Sequence, residues 1–215
     1  PDQQQGRIDW AWGKYRRHLA QAAWLDDDSL PHLDPYTGTE IFAAAFGCPV
    51  HRPDDSNPFA RPRIDAASQV AGLKVPDISA GPEALMRLPD IQSPMDIAAL
   101  IWDKNTFYPA LLEAPEAVRE LAGKVRQLLT AFLDEWFARY GRQFIAHYPD
   151  YYMPGGITLS EDEIGAVSPS LFADLFLPEL AELSAQLRAL EEEEVRLAAA
   201  EEEALQAAEE EARRA

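Results

Sequence analysis

Residues 160–180, SEDEIGAVSPSLFADLFLPEL, decide the fold, because three acids stand between a predicted strand and a predicted helix. The acids at 161–163 come just after the apolar-polar run at 157–159, with Ser160 between them. Ser168 and Pro169 then open a helix in which apolar residues recur at helical spacing. A strand, an acidic tip and a helix in this order predict a βα unit of an α/β protein.

Most of the chain before this stretch is predicted to be helical. Apolar residues spaced by three and four predict helices over 7–25, 37–46, 94–102, 105–114 and 115–140. Gly47 and Gly141 each stand where a residue in the left-handed conformation ends a helix. Short strands are predicted at 49–52, 141–152 and 155–163. The elements together predict a helix-rich α/β protein.

The composition argues against several classes of function. The chain has 215 residues, of which 47% are hydrophobic, enough to bury the core of one domain. Its net charge of −18 argues against a nucleic-acid partner, because binding phosphates requires a basic surface. No apolar run approaches the roughly 20 residues that span a bilayer, so no membrane partner is predicted. One cysteine, Cys48, excludes an internal disulfide and makes a cytoplasmic location the default.

The end of the chain differs from the rest in composition. Residues 186–215 contain ten glutamates and four arginines, separated mainly by alanine and leucine. These residues favour helix, so we divide the chain into a domain at 1–184 and an acidic, low-complexity helical tail at 185–215. Two arrangements of the tail are open: a solvated single helix, or a helix that covers the edges of exposed strands.

Glu161 and Asp162 are the first candidates for chemistry. In a parallel α/β barrel, side chains at the carboxyl ends of strands point into the active site. Carboxylates held there could hydrogen-bond the N–H groups of a substrate or act as a general acid or base. The alternative is a solvated acidic loop before a helix, where negative charge is stabilising in any case.

Two polar-aromatic clusters are the next candidates. HLDPY at 32–36 contains Asp34 and Tyr36, and HYPDYY at 147–152 contains Tyr151. Both follow or end an apolar stretch, as residues at the rim of a barrel would, although surface loops and aromatic packing explain them as well. A metal site needs three or four oriented ligands, and the scattered histidines do not support one. Cys48 is interpreted as a buried structural thiol, since no histidine partner is evident.

Three stretches of the chain, in this order, resemble the uroporphyrinogen decarboxylase superfamily. They are LDPYTGTEIFAAAFGCPVHRPDDSNPF at 33–59, SPMDIAALIW at 93–102 with LLEAPEAVRELAGKVRQLLTAFLDEW at 111–136, and EDEIGAVSPSLFADLFLPEL at 161–180. The strongest match is an acidic strand end followed by Gly, Ser-Pro-x-x-Phe and Pro, here Glu161, Asp162, Gly165, Ser168, Pro169, Phe172 and Pro178. The resemblance covers roughly 30–184.

The resemblance implies a fold and a set of site residues. The fold is an incomplete (β/α)8 TIM-barrel-like domain, here followed by a long C-terminal helix. Glu161 and Asp162 would be catalytic residues that face the substrate from the end of a barrel strand. Asp34, Tyr36 and Tyr151 would bind the substrate at the barrel rim.

The resemblance also implies a choice of reactions: porphyrinogen decarboxylation, or methyl transfer linked to a corrinoid protein. An arginine-rich N-terminal motif is not visible, so the chain is closer to the divergent, methyltransferase-like branch. The substrate would be a tetrapyrrole or a methylated compound, with no cofactor or metal on this chain, and a homodimer or a corrinoid protein as possible partner. The second half of the barrel is not among these residues, so we expect no turnover from them alone. The alternative is a non-catalytic structural or interaction module that uses the acidic helix.

Overall fold

A computed structural model of the chain describes residues 2–24, 30–34, 40–51, 53, 58–76, 87–141 and 157–189, with 192–193, 196 and 199–200 beyond them. Two of the predicted substrate-binding residues, Tyr36 and Tyr151, lie outside these ranges. The strand predicted at 141–152 also lies outside these ranges, except for its first residue, Gly141.

The described residues are mostly helical and contain few, short strands. The helices are α1 (Asp2–Ala22), α2 (Ile41–Ala45), α3 (Pro94–Ile101), α4 (Lys104–Glu113), α5 (Pro115–Tyr140), α6 (Pro169–Leu175) and α7 (177–189). The strands are β1 (Val50–His51), β2 (Phe59–Ala60), β3 (Ile91–Gln92) and β4 (Leu159–Ser160). Two 3-10 turns, Ala67–Gly72 and Glu163–Ala166, complete the order. The predicted helix-rich character is confirmed.

The strands form two separate pairs. β1 pairs antiparallel with β2, and β3 pairs parallel with β4. The described residues form no closed barrel, because each of their two sheets contains only two strands. The chain between β3 and β4 includes α3, α4 and α5, so these strands are joined by the helical crossover that parallel pairing requires.

Local sequence explains where the helices around the site begin. Ser93 caps α3, since its Oγ accepts a hydrogen bond from the Asp96 N–H at 3.2 Å, and Pro94 occupies the first turn. Ser168 caps α6 in the same way, as the opening stretch predicts, with Pro169 next along the chain. Both helices therefore start at fixed points immediately after a strand or a turn.

The core lies between α3, α4 and α5. One face of α5 is buried along its length by the apolar residues that predicted this helix, including Val118, Leu121, Val125, Leu128, Leu129 and Trp136. Trp102 and Phe107, which flank the start of α4, are fully buried beside it. Because α3 is buried against these residues and begins directly after β3, the packing of the core holds the end of β3 in position.

The last described helix, α7, packs against α5. Leu183 is buried, Arg126 on α5 donates to Glu179 at 2.6 Å, and the hydroxyl of Thr130 donates to Gln186 at 2.9 Å. The boundary predicted between 184 and 185 falls inside this helix. The start of the predicted tail therefore contacts a helix, not a strand edge. None of the helices in the described ranges is long and apolar enough to cross a lipid bilayer.

Gly47 allows a stability test at the turn after α2. Its φ is +88°, as predicted for the end of this helix, and a Cβ there would lie 1.9 Å from Arg63 Nη1. We expect Gly47→Ala to lower the free energy of unfolding by about 1–2 kcal/mol, from backbone strain and displacement of Arg63. Gly72→Ala is the matched control, because a Cβ there meets nothing within 4 Å. Urea titrations that find equal losses for both variants would contradict this role of Gly47.

Candidate active site

The candidate active site lies at the carboxyl ends of β3 and β4. Ile91 pairs with Leu159 and Gln92 with Ser160, and the Ser93 N–H then donates to the Ser160 carbonyl at 2.8 Å. Because the strands are parallel, the residues that follow both of them leave the sheet at the same edge. The first turn of α3 and the acidic residues 161–163 are thereby brought together.

Asp96, in the first turn of α3, organises this edge. Its side chain is almost completely buried, with 2% of the residue exposed. One carboxylate oxygen accepts from the Asp162 N–H at 2.8 Å, and the other accepts from the Glu163 N–H at 2.9 Å. Burial raises the pKa of Asp96, although the two N–H groups favour its charged form and oppose the rise.

Glu161 lies beside Asp96 and has the most perturbed carboxyl group of the site. Burial, opposed by the Ser93 hydroxyl and reinforced by the Asp96 carboxyl, raises the pKa of Glu161 from 4.5 to about 8. Both of its carboxyl oxygens are shielded from solvent, and no hydrogen bond of ordinary geometry reaches them from the described residues. Since the two N–H groups favour a charged Asp96, the proton of this pair resides on Glu161 at neutral pH.

Glu163 has the opposite protonation. Its carboxylate forms an ion pair with Lys104 and accepts a hydrogen bond from the Tyr108 hydroxyl, and both groups come from α4. Burial alone would raise the pKa of Glu163, but the contacts with Lys104 and Tyr108 lower it. Burial and the Glu163 carboxylate in turn raise the pKa of Tyr108 to about 12. The site thus combines a neutral acid and an ionised carboxylate two residues apart.

Asp162 takes part through its backbone. Its side chain is exposed, and the group that contacts Asp96 is its N–H. Of the two predicted catalytic residues, only Glu161 therefore has its carboxyl in the pair with Asp96.

Asp34 forms ion pairs with Lys14 and Arg87. It is buried, and one oxygen accepts from Lys14 on α1 at 3.0 Å and from Arg87 at 3.2 Å. The Arg87 N–H also donates to the Leu33 carbonyl at 2.8 Å. Asp34 thus ties α1 to the segment before β3.

Gln92, Ser93 and Asp96 are the site residues that sequence reasoning missed. Gln92 is 6% exposed, and its Oε1 and the Oγ of Ser160 are shielded without a hydrogen-bond partner among the described residues. Ser93-Pro94-Met95-Asp96 is an ordinary pattern for the start of a helix. The sequence therefore explains Asp96 as an acid that stabilises the first turn, without a further role. The signal that could have found Asp96 is its apolar surroundings, since a solvated helix start would not place an acid among Pro94, Met95 and Ile97.

Neither a metal cluster nor a reactive thiol is found in the described ranges. No group of three or more His, Cys, Asp or Glu side chains there could hold a metal ion. Cys48 is buried, as predicted, and burial raises the pKa of its thiol to about 11. The thiol stays protonated and unreactive at neutral pH.

No protein-family model matches the chain, and no curated protein matches it either. The resemblance to the uroporphyrinogen decarboxylase superfamily therefore rests on its quoted motifs alone. The chemistry of the site rests on the geometry of Asp96, Glu161 and Glu163.

Proposed function

We propose that the edge formed by β3 and β4 binds a small organic substrate and that Glu161 transfers a proton to it. The observation that carries this proposal is a shielded carboxyl group of pKa about 8 beside Asp96, at the carboxyl ends of two parallel strands. A general acid works best when its pKa lies near the working pH, because it is then protonated and still gives up its proton readily. Structural ion-pair networks also perturb pKa values, but Glu161 forms no ion pair with another described residue, which favours a chemical role.

The reaction that this acid supports best is decarboxylation, one of the two implied by the resemblance to the uroporphyrinogen decarboxylase superfamily. The bond between the substrate carbon and its carboxylate breaks, CO₂ leaves, and the electron pair stays on the carbon. Glu161 gives its proton to that carbon and becomes a carboxylate, which takes up a proton from solvent to complete the cycle. Asp96 keeps its charge and its two N–H bonds throughout, so it holds the loop of Glu161 in place.

The same acid could serve methyl transfer, the second reaction that the resemblance implies. There Glu161 would protonate the atom from which the methyl group departs towards the corrinoid of a partner protein. We keep decarboxylation first, because it needs only an acid and a bound substrate. A cytoplasmic location, suggested by the single cysteine, belongs to the same proposal.

The barrel is likewise part of the proposal. We infer that β3, the three helices and β4 are one segment of a (β/α)8 arrangement. Support comes from the parallel register, from the helical crossover and from acidic residues at the carboxyl ends of the strands, where barrel enzymes have their active sites.

The experiment that tests the proposed function is a binding titration with a carboxylated porphyrinogen between pH 6 and 9. We expect affinity to fall about tenfold per pH unit above pH 8, because ionised Glu161 beside ionised Asp96 repels an anionic substrate. Glu161→Gln should bind with a nearly flat pH profile, since an amide donates a hydrogen bond but does not ionise in this range.

Glu113→Gln is the matched control, because Glu113 is exposed at the end of α4. It should behave as the wild type does. Saturable binding that ignores both pH and the Glu161 substitution would remove Glu161 from the site. No saturable binding at all would contradict the substrate class.

A further inference from the structure

The strands β3 and β4 place two neutral polar side chains next to each other. Gln92 is the register partner of Ser160, and the residues before them, Ile91 and Leu159, are paired in the same way. Side chains alternate between the two faces of a strand, so Gln92 and Ser160 share one face. Ile91 and Leu159 share the opposite face, which packs against the core. We call Gln92 and Ser160 the polar pair.

The polar pair is distinct from the pair formed by Asp96 and Glu161. Ser93 and Glu161 each follow one member of the polar pair, so alternation directs them to the other face of the strands. There the Ser93 hydroxyl acts on the Glu161 carboxyl. What the polar pair binds is therefore independent of the proton that Glu161 transfers in the proposed function.

Two oxygens of the polar pair have no hydrogen-bond partner within the part of the chain that the structure describes. They are Gln92 Oε1 and Ser160 Oγ, and both are shielded from solvent. Gln92 as a whole is only 6% exposed. Buried polar groups are nearly always hydrogen-bonded, because an unpaired one costs stability. Two such atoms on paired residues indicate a single partner that satisfies both.

The chemistry of the two atoms selects the kind of partner. Both accept hydrogen bonds, so the partner should carry N–H donors. Neighbouring strands lie about 4.8 Å apart. An NH2 group that donates at about 2.9 Å along two bonds about 120° apart joins two oxygens about 5 Å apart, which matches this spacing. Neither side chain is charged, and burying an ion without a counter-charge is costly, so the group should be neutral.

We propose that Gln92 and Ser160 bind the planar NH2 group of an uncharged small molecule of the primary amide class. One N–H of the ligand donates to Gln92 Oε1 and the other donates to Ser160 Oγ. The ligand thereby supplies the hydrogen bonds that the two oxygens lack among the described residues.

Titration of the ¹⁵N-labelled full chain with acetamide, followed by NMR, tests this proposal. We expect saturable shifts of the Gln92 side-chain amide and of the Ser160 backbone N–H, with a dissociation constant of about 1–10 mM for so small a ligand. N,N-dimethylacetamide, which has no N–H group, and acetate, which is charged, should bind at least ~10-fold more weakly.

Substitutions of the polar pair test the two acceptors separately. Gln92→Met and Ser160→Ala should each weaken acetamide binding ~10-fold or more, because each removes one acceptor. Gln127→Met is the matched control, since Gln127 is exposed on α5 and is not part of the pair. It should bind acetamide as the wild type does. Circular dichroism melts of each variant check that it folds.

The melting temperature of the free chain distinguishes an external ligand from a partner that is already in place. Gln92→Met removes an unpaired buried acceptor, so it should raise the melting temperature by about 2–4 °C. If another group of the chain or a buried water already paired with Gln92, the variant would lose that hydrogen bond and melt at a lower temperature.

Three outcomes would overturn the proposal. The first is the absence of any saturable shift with acetamide. The second is equal affinity for acetamide and N,N-dimethylacetamide, which would mean an apolar contact and not recognition of an NH2 group. The third is a lower melting temperature for Gln92→Met, which would assign the polar pair to an internal partner or a bound water.

Discussion

The free energy of unfolding of the wild-type chain should fall by up to about 4 kcal/mol between pH 5 and pH 8, and Glu161→Gln should remove most of that fall. In the folded chain the pKa of Glu161 is about 8, against 4.5 as its ordinary value. The folded state therefore holds a proton that the unfolded state has lost across this window. The stability that Glu161 contributes is therefore fully present below pH 4.5 and is lost as the pH rises through 8.

The other perturbed groups either act in the same direction or titrate outside this window. The pKa of Asp96 is also raised, so its contribution has the same sign as that of Glu161. The pKa of Glu163 is lowered, so the stability it contributes is lost only as pH falls below its ordinary 4.5. Tyr108, with a pKa of about 12, and Cys48, with about 11, act above pH 9.

Urea titrations followed by tryptophan fluorescence at pH 5, 6, 7 and 8 measure this effect. The exposed Glu113→Gln should keep the wild-type slope, while Glu161→Gln should flatten it and be the more stable chain at pH 8. A wild-type profile without a fall, or an equal fall in both variants, would show that Glu161 is not the group that holds the proton.

The helices could be predicted because their signals are local. Val118, Leu121 and Val125 define the buried face of α5 by their spacing alone, and Gly141, with φ +69°, ends the helix where it was expected. Gly47 likewise ends α2 in the left-handed conformation. A helix forms its hydrogen bonds within itself, so the pattern of one segment is sufficient to find it.

The strands could not be predicted as well, because pairing depends on residues far along the chain. β3 is two residues long and lies at the end of an irregular, proline-rich region, so no alternation marks it. Its partner β4 was predicted within a longer strand at 155–163, but among the described residues of that range only Leu159 and Ser160 pair with β3. Strand length here is set by the partner, not by the propensity of the segment.

Only part of the candidate site could be predicted, because the rest depends on contacts between residues that are far apart in the sequence. Glu161 follows a strand and precedes a helix, which is a local signal, and its carboxyl does lie in a shielded pair. Which of the two adjacent acids is shielded depends on the register of β4, and the sequence left this open. Asp96 comes from a helix start that resembles any capped helix, and only the tertiary structure shows that it binds the N–H groups of Asp162 and Glu163.

Asp96→Ala should lower the free energy of unfolding at pH 5 by about 2–4 kcal/mol. The substitution leaves the N–H groups of Asp162 and Glu163 without their acceptor, and each partly buried unpaired donor costs about 1–2 kcal/mol. Asp96→Asn should lose an intermediate amount, because its single carbonyl oxygen can accept one of the two hydrogen bonds. Asp174→Ala is the matched control, since Asp174 forms an exposed ion pair with Arg119, worth less than about 1 kcal/mol.

The pH dependence of this loss distinguishes a paired carboxyl from a merely structural one. In the wild type at pH 8, Glu161 begins to ionise beside the charged Asp96, and their repulsion destabilises the folded state. Asp96→Ala removes that repulsion, so its cost should be smaller at pH 8 than at pH 5. Urea titrations of the variant at both values measure the difference. An equal loss at both pH values would mean that Asp96 only anchors the loop, and that Glu161 owes its high pKa to burial alone.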